Sequence, residues 1–168
     1  MRSLLSLSLL LLGGCSLFSD DGAPPAIHTD ATLYEARRTG AGLEIDPIAF
    51  RFTNEREQAV YVPGCPGPNP PSVQKLVDGE WVMAWAPVVL QCLGPSVRVG
   101  AGRTYRGTLR VRAGLPSDDL YPKFETLPVE GTYRLVLGVD RTEDPEQFEP
   151  LPLSERVSDP FELREASN

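Results

Sequence analysis

After residue 30 the chain alternates apolar and polar positions with a period of two, in short runs separated by Gly, Pro, Asn and Asp clusters. In residues 48–53, Ile48, Phe50 and Phe52 fall on one face and Ala49, Arg51 and Thr53 on the other, which predicts a half-buried strand. Residues 54–58 turn the chain into a second strand over 59–62. Residues 73–77 and 80–85 flank Asp78-Gly79, a pair suited to the two positive φ angles of a type I′ turn. A hairpin is predicted there, with Trp81, Met83 and Trp85 on one core-facing side. Val97 and Val99 precede Gly100-Ala101-Gly102, after which Tyr105, Gly107, Leu109 and Val111 alternate with Arg106, Thr108, Arg110 and Arg112 as one amphipathic strand. Residues 131–137 form a further strand, with 157–163 as its antiparallel partner. The acidic connection 140–156 reads as an exposed excursion. No stretch carries a helical period, so the pattern predicts an all-β chain built as an antiparallel β-sandwich.

The first residues follow another rule. Residues 3–12 hold seven leucines and three serines without a charge, directly after Arg2. That length suits the apolar core of a secretory signal and falls short of the ~20 residues that span a bilayer. The run closes on Leu12-Gly13-Gly14-Cys15, which resembles the lipobox of bacterial lipoproteins: an apolar residue, two small residues and a cysteine. The resemblance implies that residues 1–14 are a lipoprotein signal peptide, that the Cys15 thiol is alkylated by a diacylglycerol, and that a membrane is therefore a partner. Two or three acyl chains hold a protein durably where one does not. It also implies an exported, membrane-anchored protein of the cell envelope. Ser16, where such families carry Asp to stay at the inner membrane, is compatible with an outer-membrane lipoprotein facing the periplasm or the surface. The competing reading is an ordinary signal peptide that leaves a free cysteine behind. Cys15 and residues 16–30, rich in Asp, Gly, Ala and Pro, read as a flexible tether that contains His28, the single histidine. Residues 31–168 make up the domain.

Length and charge narrow the picture. Removal of the signal leaves 154 of the 168 residues, enough for one domain with a sizeable core. The formal charge of −7 becomes −8 once Arg2 is lost, which argues against nucleic acid, and against an anionic membrane surface as the main partner. With Cys15 assigned to lipid, the three cysteines reduce to Cys65 and Cys92 in an oxidising compartment. A bridge between them would close about 27 residues and, on the chain-entropy model, contribute roughly 3.5 kcal/mol. Two buried or free thiols are the alternative.

The ordered motifs Phe50-Arg51-Phe52-Thr53-Asn54, Lys75-Leu76-Val77-Asp78-Gly79-Glu80-Trp81-Val82, Gly100-Ala101-Gly102, Gly131-Thr132-Tyr133-Arg134-Leu135 and Ser158-Asp159-Pro160-Phe161-Glu162-Leu163 resemble those of bacterial immunoglobulin-like domains on exported lipoproteins. The resemblance spans roughly residues 31–165. It implies an antiparallel immunoglobulin-like β-sandwich of about seven to nine strands, Trp81 in the core, and Tyr133 opening a late strand beside a loop corner. The cysteines lie in or beside loops, unlike the inter-sheet bridge of antibody domains.

Two regions are candidate binding surfaces. Arg98, Arg103, Arg106, Arg110 and Arg112 fall within 15 residues without an acid, and alternation puts Arg106, Arg110 and Arg112 on one face. Such planar forks suit carboxylate or phosphate, so the face could meet an envelope protein or an anionic envelope component. The alternative is neutralisation by the nine acids of residues 140–168. The second candidate is the loop 63–71, whose five prolines include Pro66 and Pro68, next to Asn69 and beside Cys65. Pinned by a disulfide, it could present a proteinase with a stiff, substrate-like segment. Acidic clusters at Asp118-Asp119 and around Asp140 lack the order of a calcium loop. The sequence has no phosphate loop, nucleophile elbow or metal-spaced His/Cys set, so no catalytic residue, metal or cofactor is assigned. The expectation is a non-enzymatic, lipid-anchored envelope module with an interaction or structural role, and proteinase inhibition is the alternative.

Overall fold

The computed structural model describes residues 25–64, 67–89, 94–144, 147 and 149–167. The fold is all-β. Its strands are β1 (Ile27–Thr29), β2 (Leu33–Thr39), β3 (Gly42–Ile45), β4 (Ile48–Thr53), β5 (Val60–Val62), β6 (Ser72–Val77), β7 (Glu80–Trp85), β8 (Val97–Val99), β9 (Thr104–Leu109), β10 (Arg112–Ala113), β11 (Gly131–Val136) and β12 (Phe161–Glu165). The helical turn Leu153–Glu155 is 3-10, and no α-helix occurs among the described residues.

A seven-stranded sheet runs β10-β3-β2-β12-β11-β6-β7, facing a three-stranded sheet β1-β4-β9, with β5-β8 as a short third ladder. Alternation places Ile48, Phe50 and Phe52 of β4 inward, as expected, and Tyr34, Leu43, Val73, Tyr133, Leu135, Phe161 and Leu163 answer them from the large sheet. Tyr34 meets Phe161 edge-on with ring centroids 5.3 Å apart, and Tyr133 stacks on the other side of Phe161 at 6.3 Å. Gly107 lies opposite Phe50, and a Cβ at Gly107 would sit 2.5 Å from that ring, so the glycine lets the aromatic ring cover its strand.

Several sequence expectations hold. Asp78 and Gly79 adopt φ of 51° and 86° and join β6 to β7 as a tight hairpin. β11 and β12 pair antiparallel. Tyr133 is buried beside a loop corner, where its hydroxyl donates to the Val129 carbonyl four residues upstream. The contact resembles the tyrosine corner of immunoglobulin-like sandwiches.

Other expectations are corrected. The sheet is mixed, because the first long strand β2 and the last strand β12 run parallel at its centre. Side-chain alternation encodes a face and carries no strand direction. The count is twelve strands, above the seven to nine expected, since β1, β5, β8 and β10 are only two or three residues long and leave almost no period to read. The β2–β3 hairpin is an addition to the sequence reading. The stretch read as one strand over residues 105–112 is two: β9 belongs to the small sheet and β10 to the large one, with the switch at Arg110–Val111. Trp81 is not in the core and Met83 is 47% exposed. A bulge pairs Val73 with Trp85 and Gln74 with Met83, so Ala84 is the extra residue and only Trp85 of the three turns inward. The excursion 140–156 is anchored at both ends, with Asp140 and Leu151 buried and Asp140 bridged to Pro150. The domain also starts before residue 31, because Ile27 is fully buried and β1 pairs with β4.

Candidate binding face

The arginines singled out by the sequence do not form one row. Arg106, Arg110 and Arg112 are all exposed, but the sheet switch after Leu109 separates them. Arg112 stands opposite Glu44 on β3, with Nε 3.3 Å from Oε1. The expected neutralisation by the C-terminal acids therefore happens from a different strand. Arg110 has no hydrogen-bond or ion-pair partner among the described residues. Cys15, Cys65, Pro66 and Cys92 lie outside the described residues, so the lipidation site, the disulfide and that part of the loop do too. Pro68 and Asn69 close a tight turn: Pro68 bridges Gly64, and the Asn69 N–H donates to Pro63 O at 2.8 Å.

The structure assembles another row from residues far apart in sequence. His28 on β1 is the register partner of Arg51 on β4, and Arg51 is the partner of Arg106 on β9. Partners across neighbouring strands point to one side of a sheet, and this side is the outer one, since Ile27, Phe52 and Leu109 fill the inner face. The three residues line an open depression of about 340 Å³ together with Asp30, Ala49 and Thr108. His28 is thus part of the sandwich rather than of a tether, and Nδ1 lies 2.7 Å from Asp159 Oδ2. Asp30 accepts from the Tyr34 hydroxyl at 2.7 Å. Burial and that carboxylate push the Tyr34 phenol up to about 12. Arg51 and Arg106 are exposed and have no hydrogen-bond or ion-pair partner among the described residues. Thr53 and Thr104 stand one step along the same face, their hydroxyls 3.1 Å apart.

Sequence reasoning found Arg106 but missed Arg51 and His28. The signal lay in the periodicity itself: Arg51 is the one charged residue on the polar face of the 48–53 strand. Only the register shows that it meets Arg106.

Several polar groups are buried away from this face. Asn54 Nδ2 donates to the carbonyls of Gln58, Val99 and Gly100 and ties the β4 exit to the β8–β9 turn. Lys75 is buried, donates to the Pro128 carbonyl and lies 5.6 Å over the Tyr133 ring; desolvation lowers its pKa. Desolvation raises the Asp140 carboxyl, against a smaller opposing pull from Arg156. On the outer face of the large sheet the Arg134 guanidinium stacks 4.4 Å from the Trp81 ring centroid and covers a half-buried tryptophan there. Among the described residues no three His, Cys, Asp or Glu side chains gather as a metal site.

Comparison with known proteins finds no family model, no curated protein and no solved structure that matches this chain.

Proposed function

We propose that this protein is a lipid-anchored, non-enzymatic, immunoglobulin-like module of the bacterial cell envelope that binds through the outer face of its small sheet. One observation carries the binding role: Arg51 and Arg106 oppose one another across β4 and β9 without an acidic partner among the described residues. Like charges directly opposite destabilise a sheet, so the pair is kept at an energetic cost that an anionic ligand would remove. The lipobox Leu12-Gly13-Gly14-Cys15 supports the anchor, and the tyrosine corner supports the immunoglobulin-like likeness. About eleven residues separate Cys15 from Ile27, a reach of at most about 40 Å from the bilayer. Replacing Cys15 by Ala is expected to move the protein from membrane to soluble fractions. A variant that pellets like the wild type removes the anchor and with it this reading.

A second reading, proteinase inhibition, draws on the turn at Pro68 and Asn69. A Cβ at Gly64 would sit 2.2 Å from the Gly67 carbonyl oxygen, so the chain approaches itself closely on either side of the prolines. Proteolytic nicking at this loop is then expected to abolish inhibition of a secreted proteinase; a panel of such enzymes left uninhibited by the intact chain eliminates it.

A further inference from the structure

We infer that Arg51 and Arg106 bind the phosphoryl group of a lipid headgroup in the leaflet that carries the anchor. The inference deepens the tethered reading above and rests on it.

Register partners on adjacent antiparallel strands hold their Cβ atoms roughly 5 Å apart. Two guanidinium forks that close offer paired N–H donors to a tetrahedral anion from both sides, whereas one carboxylate occupies a single fork. The depression beside them stays open because Ala49 is small, and Thr108 adds a hydroxyl at its rim. The acids nearby are engaged: Asp159 with His28, and Asp30 with the Tyr34 hydroxyl. Neither acid bonds to an arginine of the row, so among the described residues the two guanidinium charges face solvent unpaired, beside Asp30, which keeps its own negative charge on the rim of the depression.

The site is open and, alone, weak. A weak site suffices on a tethered protein, because a short tether raises the effective concentration of its ligand to about the millimolar range. β1, whose His28 begins the row, is the first strand after the tether, so the face is held within reach of headgroups. The whole chain, at −7, is repelled by an anionic surface. Binding through this face would also orient the domain with its small sheet toward the bilayer.

The test uses the mature chain, residues 15–168, with Cys15→Ser, which has neither the apolar leader nor an acyl group, in flotation with phosphatidylcholine vesicles with and without phosphatidate. The chain is expected to float with the phosphatidate vesicles and not with phosphatidylcholine alone. Arg51→Gln combined with Arg106→Gln should weaken partition roughly thirtyfold, on the usual scale for two cations at an anionic surface. Arg141→Gln combined with Arg164→Gln removes the same charge elsewhere and should change partition less than about twofold. Circular dichroism checks that both variants remain folded. No flotation, or equal loss in both double variants, overturns the inference. So does binding of inorganic phosphate, or of polyglutamate, by a chain that does not float, which would assign the face to a free anion or to an acidic protein. Because the probe lacks the acyl group, a failure here indicts the arginine site, while the anchor is judged separately by fractionation of the Cys15→Ala variant.

Discussion

Two cross-strand rows show how this sandwich treats charge. On the large sheet, Arg112, Glu44 and Arg37 stand in register across β10, β3 and β2; the carboxylate lies between the cations and pairs with Arg112, while Glu35 and Asp46 pair with Arg37, each at 2.6 Å. On the small sheet, His28, Arg51 and Arg106 stand in the same relation across β1, β4 and β9, and no acid separates the two arginines. Both rows consist of exposed side chains on regular strands, so local propensity does not distinguish them. The difference lies in what each row satisfies. The first is closed within the domain; in the second the two arginines have no acidic partner among the described residues.

The comparison can be sharpened by disturbing each sheet in turn. The largest loss is expected at the large-sheet core, where Phe161→Ala removes a ring held between Tyr34 and Tyr133. Denaturant titration should show about 3–5 kcal/mol of destabilisation. Next comes Tyr133→Phe, which leaves the buried Val129 carbonyl without its donor and should cost about 1–3 kcal/mol in the same measurement. On the small sheet, Gly107→Ala pushes against the Phe50 ring, with an expected cost of about 1–3 kcal/mol; a neutral result would mean that Phe50 moves aside freely. Smallest in size, but opposite in sign, are the arginine changes. Arg38→Gln breaks two hydrogen bonds to Glu165 and should lower Tm slightly, whereas Arg51→Gln relieves repulsion and should leave Tm unchanged or raise it.

pH adds a second handle on the large-sheet pair. The Arg38 hydrogen bonds hold the Glu165 carboxyl below the usual carboxylate range. A carboxyl depressed in the folded state stabilises above its unfolded pKa, and that contribution is lost as pH falls through the folded value. Tm curves of the wild type and Arg38→Gln are therefore expected to converge in acid. Parallel curves would show that the pair contributes nothing through ionisation.

Much of the fold was legible because it rests on side-chain alternation and turn chemistry. Ile48, Phe50 and Phe52 declared a buried face, and Asp78-Gly79 declared a hairpin. What remained hidden depends on pairing. The direction of β2 against β12 leaves no trace in alternation, and the bulge that turns Trp81 outward arises between two strands rather than within one. His28 sits after Pro and Ala in a stretch that looks like linker, yet a three-residue edge strand needs only a fully buried Ile27 to dock. The candidate face shares this limit. Arg106 was visible as part of a cationic stretch, but the stretch is divided by a sheet switch, and its true neighbour Arg51 lies 55 residues earlier. Proximity in sequence grouped the wrong arginines.

Amide chemical shifts of the mature Cys15→Ser chain, residues 15–168, followed as phosphatidate-bearing bicelles are added, compare the two sheets in one experiment. Perturbations are expected at His28, Arg51, Arg106 and Thr108 on the small sheet, with Arg37, Glu44 and Arg112 unmoved. Shifts centred on the large-sheet row, or none on either sheet, would contradict the assignment of the small sheet as the face that meets a ligand.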